Sequence, residues 1–254
     1  MRIGFIGTGA ITQAIVTGLC TAPSPPEAIW VSARNEQKAL ALETAHSQVR
    51  IAAPNQAVVD NSDILFLAIL PGQETDVLTP LKLHRDQVIV TLLAGVPISG
   101  IRALTAPART VIRAIPLPCT ALRTGPVVMF PHHDKVHDLF ASVGSVIVPE
   151  REDQLEVFSI ITALMAPFYA LTDTVAAWGE SRGLDQAQAA AYTGAMFKAL
   201  ALIAETAPDG DIRTLVADSM TPGGLNETAM GVISDTGGFK TIVQALDRVA
   251  EKFK

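Results

Sequence analysis

Residues 2–12 read RIGFIGTGAIT, in which a short apolar run passes through a glycine turn into a helical pattern. Gly7 permits a tight turn, and Gly9 lets the backbone approach a pyrophosphate held at the N-terminus of the following helix. Thr12 stands where the usual pattern has a third glycine. A strand, a glycine turn and a helix in this order predict a dinucleotide-binding α/β domain; the alternative is a turn that holds no ligand.

Apolar runs recur through the first half of the chain and alternate with helical patterns such as Ile11–Leu19 and Glu36–Ala45. Several of them, ILFLAIL and VIVTLL included, are continuous rather than alternating, as in strands covered on both faces. This order predicts a doubly wound, mostly parallel sheet of the Rossmann type within residues 1–149. The expected strands are Arg2–Ile6, Ala28–Ser32, Val49–Ala52, Ile64–Leu70, Gln87–Leu92, Thr110–Ala114, Val127–Phe130 and Ser145–Val148.

The second half, residues 150–254, has a long helical periodicity instead. Gly183 is the expected C-terminal cap of one helix, and Asp185 the N-cap of the next. Apolar side chains surround much of each helix, which is typical of wholly buried helices. We therefore expect an all-helical domain that intertwines with a second copy of the chain. The predicted helices are Asp153–Leu164, Pro167–Arg182 and Gln186–Ala207.

Composition narrows the class of protein. The 254 residues are 49% hydrophobic and 17% charged, with a net charge of −6. This composition excludes extensive disorder, and without a Lys/Arg cluster it argues against nucleic-acid or anionic-membrane partners. The most apolar stretch, Val157–Leu171, is broken by Pro167 and is shorter than the roughly 20 residues of a membrane span. Cys20 and Cys119 are too few for a disulfide scaffold, and the absence of a signal-peptide pattern predicts a cytoplasmic protein.

The end of the second strand indicates which dinucleotide is bound. Ser32-Ala33-Arg34-Asn35 begins 25 residues after Gly7. NAD-specific folds place Asp or Glu here for the ribose 2′-hydroxyl, whereas an arginine accommodates a 2′-phosphate. The sequence has no acid at this point, so it favours NADP over NAD.

Three further strand ends and one loop complete the candidate site. Leu67–Gln73, Leu92–Gly95 and Ile115–Pro118 end strands on one edge of the predicted sheet, where a cofactor crevice forms. Residues 221–226, TPGGLN, place two glycines after a proline, and the N–H groups of such a turn could bind a carboxylate. The alternative for each segment is an ordinary turn or loop.

Two other features are predicted to be structural. His133 and His137 are spaced for a metal on one helix face, but no third ligand stands at a suitable distance, so no metal is expected. Cys119 lacks an assignable activating histidine, and burial is the favoured interpretation. The G-x-S-x-G motif of hydrolases is absent.

Taken together, these motifs resemble the pyrroline-5-carboxylate reductase family nearly from end to end. The shared segments are IGFIGTGAITQAIVTGL, the SARN strand end, Asn55 before DILFLAILP, AGVPI, VIRAIP and TPGG. The resemblance implies a Rossmann domain followed by a helical dimerisation domain, a homodimer or higher homo-oligomer, and NAD(P)H-dependent reduction of a cyclic imine.

The resemblance also assigns the site residue by residue. It places the pyrophosphate at Gly7, Thr8, Gly9, Ala10 and Ile11, the 2′-phosphate at Ser32, Arg34 and Asn35, and the adenosine at Asn55. It places the nicotinamide at Ala68, Ile69, Pro71, Ala94 and Gly95, and the substrate at Gly223, Gly224 and Leu225. Thr221 and Asn226 are implied as the catalytic residues beside the imine.

The substrate side departs from the family pattern. Leu70 stands where the family has Lys, and residues 164–169, LMAPFY, replace Gly-Ser-Gly-Pro-Ala-Tyr. Asn226 replaces the threonine expected beside the imine nitrogen. These changes leave open an imine reductase with a different substrate, or a catalytically degenerate NADP-binding sensor or assembly protein. A β-hydroxyacid dehydrogenase relative is disfavoured, because Lys198 is followed four residues later by Leu202 instead of Asn.

Overall fold

The computed structural model describes residues 1–207 and 210–253. The chain separates into two compact units, the first ending at Ser159 and the second beginning at Ile160. Residues just before this break belong to the first unit, because Glu152 Oε1 accepts a hydrogen bond of 2.7 Å from the Ile98 N–H. The same oxygen lies 4.0 Å from Nη1 of the buried Arg113. Burial lowers the pKa of Arg113, while the charges of Glu152 and Glu156 act in the opposite direction.

The first unit contains an eight-stranded sheet in the order β3-β2-β1-β4-β5-β6-β7-β8. The strands are β1 Arg2–Ile6, β2 Ala28–Ser32, β3 Val49–Ala52, β4 Ile64–Leu67, β5 Val88–Thr91, β6 Thr110–Ile115, β7 Pro126–Phe130 and β8 Ser145–Ile147. All neighbours from β3 to β6 are parallel, and β7 is antiparallel to β6. The predicted doubly wound, mostly parallel sheet is confirmed. The strand order reverses between β1 and β4, where such sheets bind ligands.

Helices cover both faces of this sheet. They are α1 Ala10–Cys20, α2 Glu36–Ala45, α3 Asn55–Asp60, α4 Glu74–Leu78, α5 Ile98–Leu104 and α6 Asp134–Ala141. A further helix, α7 Gln154–Ile161, runs through the break between the two units. On one face Phe5 stacks on Phe66 with ring centroids 4.5 Å apart, and Phe140 of α6 meets Phe66 edge-on. On the other face Leu65 and Leu67 of β4 join a separate apolar core. Two covered faces explain the continuous apolar runs of the sequence.

The fourth strand is shorter than predicted. It ends at Leu67 instead of Leu70, because Pro71 has no N–H for a ladder bond and Gly72 has a φ of +89°. Residues 68–70 therefore leave the sheet as a loop at its carboxyl edge. The first two strands, Arg2–Ile6 and Ala28–Ser32, have the bounds that the sequence pattern predicts.

The second unit is helical throughout its described residues. Its helices are α8 Met165–Ser181, α9 Gln186–Glu205, α10 Ile212–Asp218, α11 Leu225–Asp235 and α12 Gly238–Ala250. Asp185 caps α9, its side chain accepting from the Gln188 N–H at 3.2 Å, and Gly183 has a φ of +99°, so both predicted helix-boundary residues are confirmed. A 3-10 turn, Thr162–Leu164, precedes α8.

Large apolar side chains on these helices remain exposed in the single chain. Trp178 is 64% exposed, Tyr192 70% and Val232 61%. One chain alone does not bury these helices, so the burial that the sequence predicts requires the expected second copy. A helical unit that leaves this many large apolar side chains exposed is typical of an interaction site, as the expected pairing with a second copy requires.

One helical run among the described residues, Gln154–Ser181, is long and apolar enough to cross a membrane by length and composition alone. It exceeds the fifteen-residue stretch that the sequence indicated, because Pro167 lies in the first turn of α8, where a proline does not interrupt a helix. Core and interface helices of soluble proteins also satisfy this test, so the run is weak evidence for a membrane segment.

Candidate functional site

The glycine turn between β1 and α1 lies against the loop that follows β4. Gly7 has a φ of +99°, and a Cβ built there would overlap the carbonyl oxygen of Ala68. Only glycine combines this backbone conformation with so close an approach. At Gly9, the N-cap of α1, a Cβ would meet no described atom within 4 Å. Space is therefore open beside Gly9, as an approaching pyrophosphate would need.

Three hydroxyl contacts hold the turn in place. The Gly7 N–H donates to Ser32 Oγ at 2.9 Å, and the Thr8 hydroxyl donates to the Ser32 carbonyl at 2.6 Å. Thr12 donates to the Gly7 carbonyl at 2.7 Å. Thr12, which stands in the place of a third glycine, thus stabilises the turn through its hydroxyl.

Ser32 has a structural part in this arrangement. The residue is only 1% exposed, and its oxygen is engaged by the Gly7 N–H. The prediction that Ser32 contacts a 2′-phosphate conflicts with this burial, because a charged phosphate would have to enter the packed interior. Arg34 and Asn35, which follow Ser32 on the loop, are both exposed. They are the members of the predicted trio that a phosphate can reach.

A cavity of about 270 Å³ opens at the carboxyl ends of β1 and β4. It brings together seven residues that were individually assigned to the cofactor and two, Leu70 and Gln73, that belong to the predicted crevice segment Leu67–Gln73 without an individual assignment. The lining residues are Gly7, Thr8, Gly9, Arg34, Asn35, Ala68, Ile69, Leu70 and Gln73. Arg34 is the one charged residue among them, and no carboxylate is present in this set.

Polar groups at the cavity favour an anion. Asn35 caps α2, its Oδ1 accepting from the Lys38 N–H at 3.2 Å. Arg34 Nη1 donates to Gln73 Oε1 at 2.8 Å, which joins the loops after β2 and β4. Across residues 1–207 and 210–253, no side chain caps the N-terminus of α1, so its positive end remains available to a phosphate. These residues fit a phosphorylated dinucleotide.

The other predicted cofactor residues lie outside this cavity lining. Ala94 and Gly95 are exposed in the loop after β5, and Pro71 is exposed after β4. Since β4 and β5 are parallel neighbours, these loops share one edge of the sheet. Asn55 begins α3 and is half-buried. Ala10 and Ile11 form the first turn of α1.

In the helical unit, the predicted substrate turn is tightly bonded to itself. The Gly223 N–H donates to the Glu227 carboxylate at 2.6 Å, and the Gly224 N–H donates to the Thr221 carbonyl at 2.7 Å. In this conformation the Gly223 and Gly224 N–H groups are therefore engaged within the turn, and the placement of a substrate carboxylate at Gly223, Gly224 and Leu225 stays a prediction. Glu227, which sequence reasoning missed, supplies the carboxylate at Gly223. Its one signal was its place at the third helical position of α11, where a glutamate commonly reaches back to the cap.

The amide of Asn226 has a defined orientation. Its Nδ2 donates to the Ser219 carbonyl at 2.9 Å. A carbonyl oxygen can only accept, so the nitrogen must face Ser219. The remaining group that can accept a hydrogen bond from a ligand is Oδ1. Asn226 also lines an apolar cavity of about 460 Å³ formed by α9, α10, α11 and α12.

The histidine pair and Cys119 show no catalytic arrangement. His133 precedes α6 and His137 lies within it. The described part of the chain holds no group of three or more residues suited to a metal. Burial raises the pKa of the Cys119 thiol, which keeps it in the unreactive protonated form at neutral pH.

Two family models match the chain. The model described as "NADP oxidoreductase coenzyme F420-dependent" matches residues 2–95, and "Pyrroline-5-carboxylate reductase dimerisation" matches residues 152–254. Together with the glycine turn and the switch-point cavity, they define a Rossmann-type oxidoreductase with a helical dimerisation domain. Pyrroline-5-carboxylate reductase 1 of Bacillus spizizenii is 27% identical over 267 residues, covering 100% of this chain and 88% of the relative. Over its whole length the chain is therefore similar to pyrroline-5-carboxylate reductases.

Solved structures share the fold over the whole chain. The 1-pyrroline-5-carboxylate reductase of Streptococcus pyogenes matches with a TM-score of 0.86 at 22% identity, covering 100% of this chain and 98% of that one. A pyrroline carboxylate reductase of Plasmodium falciparum with NADP bound matches with a TM-score of 0.86 at 16% identity, covering 100% and 97%.

Proposed function

We propose that this protein reduces 1-pyrroline-5-carboxylate to L-proline with NADPH. The observation that carries the proposal is the cavity at the β1–β4 switch point, which has a glycine turn, an arginine and no carboxylate. Similarity to known reductases supports the choice of substrate, because relatives that align with nearly the whole chain have this reductase activity in their names.

Residues of the first unit would hold the dinucleotide. The first turn of α1, from Gly9 to Ile11, would face the pyrophosphate, and Arg34 with Asn35 would bind the 2′-phosphate. Asn55 would lie on the adenosine side, and the loops after β4 and β5 would line the nicotinamide (Ala68, Ile69, Pro71, Ala94 and Gly95). The bound nicotinamide supplies the hydride for the C=N bond. We assign NADP binding to the first domain, residues 1–149 by sequence, and dimerisation and substrate binding to the second, residues 150–254. The break between the compact units lies ten residues later, after Ser159.

Residues of the second unit would orient the imine. A protonated ring nitrogen is a hydrogen-bond donor, and Asn226 Oδ1 is the acceptor left open by the bond to Ser219. The Thr221 hydroxyl is a second candidate partner. The Leu225 N–H, at the start of α11, could receive the substrate carboxylate together with the Gly223 N–H once Glu227 moves away. Hydride transfer then needs only that the reacting atoms be held about 3–3.5 Å apart.

The proposed assembly is a cytoplasmic homodimer or a higher homo-oligomer. Support comes from the apolar side chains left exposed on the helical unit and from the dimerisation model that matches it. Size-exclusion chromatography with light scattering should give a mass at least twice that of the chain, and a monomer at micromolar concentration would contradict the proposal.

The test of the activity is NADPH oxidation, followed at roughly 340 nm, with 1-pyrroline-5-carboxylate as substrate. NADH and 1-piperideine carboxylates serve as comparison reactants. We expect the fastest turnover with NADPH and the five-membered imine. Turnover with another cyclic imine alone would reassign the substrate. NADPH binding without turnover on any imine would instead support a cofactor-binding sensor.

A further inference from the structure

We propose that Gln73 is a positioning residue for Arg34 and thereby determines the preference for NADPH over NADH. The inference rests on the proposed function, since it concerns the cofactor of that reaction. Its basis is the hydrogen bond of 2.8 Å from Arg34 Nη1 to Gln73 Oε1, between residues 39 positions apart in the chain. Both residues line the same cavity as the glycine turn.

Gln73 is a well-anchored acceptor. The backbone N–H of Gln73 donates to the Leu70 carbonyl at 3.2 Å, and the backbone carbonyl of Gln73 accepts from the Val77 N–H at 3.0 Å. The residue is half-buried at the N-cap of α4. Arg34, by contrast, is exposed and follows the end of β2. A long exposed side chain samples many rotamers, so a fixed partner reduces the ordering cost when a ligand binds.

The contact uses one of the three guanidinium nitrogens. Among the described residues, Nε and Nη2 of Arg34 make no hydrogen bond that would compete with a ligand. These two nitrogens form the planar fork that suits a phosphate. Holding Nη1 at Gln73 therefore orients the fork without occupying it.

The neutral amide of Gln73 leaves the charge of Arg34 intact. A carboxylate at this position would pair with Arg34 and repel a doubly charged 2′-phosphate. NADH carries a hydroxyl in place of that phosphate, so its binding should be indifferent to the side chain at position 73. Comparing the affinities of NADPH and NADH therefore distinguishes a positioning role of Gln73, which changes only NADPH binding, from a general effect on the fold, which changes both.

The experiment measures the dissociation constants of NADPH and NADH by titration calorimetry, without any imine. It compares the wild type with Gln73→Ala, Gln73→Glu, Arg34→Ala and the double variant with alanine at both positions. Gln37→Ala is the matched control, because Gln37 is an exposed glutamine on α2 and does not line this cavity.

We expect Gln73→Ala to weaken NADPH binding about three- to tenfold and Gln73→Glu to weaken it further, with NADH unchanged in both. Adding Gln73→Ala to Arg34→Ala should have no additional effect, since the residue to be positioned is gone. The control variant should bind both nucleotides like the wild type.

Three results would overturn the inference and leave the proposed function standing. Gln73→Ala could weaken the binding of NADPH and NADH equally, or it could leave the NADPH affinity unchanged. It could also weaken NADPH binding as strongly in the Arg34→Ala background as in the wild type. Failure of the wild type to bind either nucleotide would overturn the proposed function and the inference with it.

Discussion

Separate alanine substitutions at Gly9 and Gly7 should distinguish ligand binding from folding within one turn. Gly9 has φ −90° and ψ −172°, which alanine adopts without strain. Its new methyl group would meet no described protein atom within 4 Å. The folded state should therefore gain about 0.4–1 kcal/mol, because alanine has fewer unfolded conformations to lose.

The same methyl group occupies the space that the pyrophosphate requires. We expect Gly9→Ala to lower NADPH affinity at least about tenfold, or about 1.4 kcal/mol. Titration of the reduced nicotinamide fluorescence gives the affinity, and a thermal melt of the same sample gives the stability. NADPH binding equal to that of the wild type would refute the placement of the pyrophosphate at Gly9.

Gly7→Ala should behave in the opposite way. Its φ of +99° costs alanine about 1–3 kcal/mol, and the overlap with Ala68 costs about 1–3 kcal/mol more. At about 2–4 °C for each kcal/mol in a chain of this size, the melting temperature should fall by roughly 6–12 °C for a loss of about 3 kcal/mol. An unchanged melting temperature would show that the two loops do not approach closely.

Four further changes test other parts of the molecule. Asn226→Ala should lower kcat/KM for 1-pyrroline-5-carboxylate about tenfold or more, with NADPH affinity unchanged, because an acceptor for the imine N–H is lost. Steady-state kinetics measures both constants, and wild-type values of KM and kcat in the variant would contradict this role of Asn226. Glu227→Gln should lower KM for the same substrate several-fold, since the Gly223 N–H no longer holds a competing charge; a raised KM would count against that competition. Glu152→Gln should reduce the free energy of unfolding by about 1–3 kcal/mol in urea titrations, because the buried Arg113 loses its ion-pair partner and keeps only the charge of Glu156; unchanged stability would mean that the pair contributes nothing. Burial raises the pKa of Cys20 to about 11. The contribution of the Cys20 thiol to stability is therefore complete below the ordinary thiol pKa near 8.5 and is lost as the pH rises toward 11. Cys20→Ala should flatten this alkaline loss of stability in urea titrations, and an equally steep loss in the variant would exclude the thiol as its cause.

Sequence reasoning succeeded where a single local segment determines the geometry. The strand, the two glycines and the start of α1 are adjacent in the chain, and each has a backbone requirement that the residue type reveals. Asp185 and Gly183 were equally readable, because capping depends on residues within one helical turn. The alternation of strands and helices was enough to predict the parallel sheet.

Contacts between distant segments of the chain could not be predicted from the sequence. The Arg34–Gln73 hydrogen bond depends on how the loops after β2 and β4 approach each other. Neither loop has a sequence pattern that predicts this approach. Ser32 shows the same limit, because the NAD/NADP rule identifies the strand end but not the direction of the hydroxyl. Its oxygen meets the Gly7 N–H, 25 positions away, so its burial follows from packing between neighbouring strands.

The two units differ in how much of their structure one chain completes. The sheet unit has an apolar core on each face and buries nearly all the large side chains of β1 and β4. The helical unit leaves Trp178, Tyr192 and Val232 more than half exposed. Only another surface can remove apolar area of this kind from water. In the proposed homo-oligomer a second copy would supply that surface, at a free-energy gain proportional to the area covered. The stability of the helical unit should therefore depend on protein concentration by mass action, whereas that of the sheet unit should not.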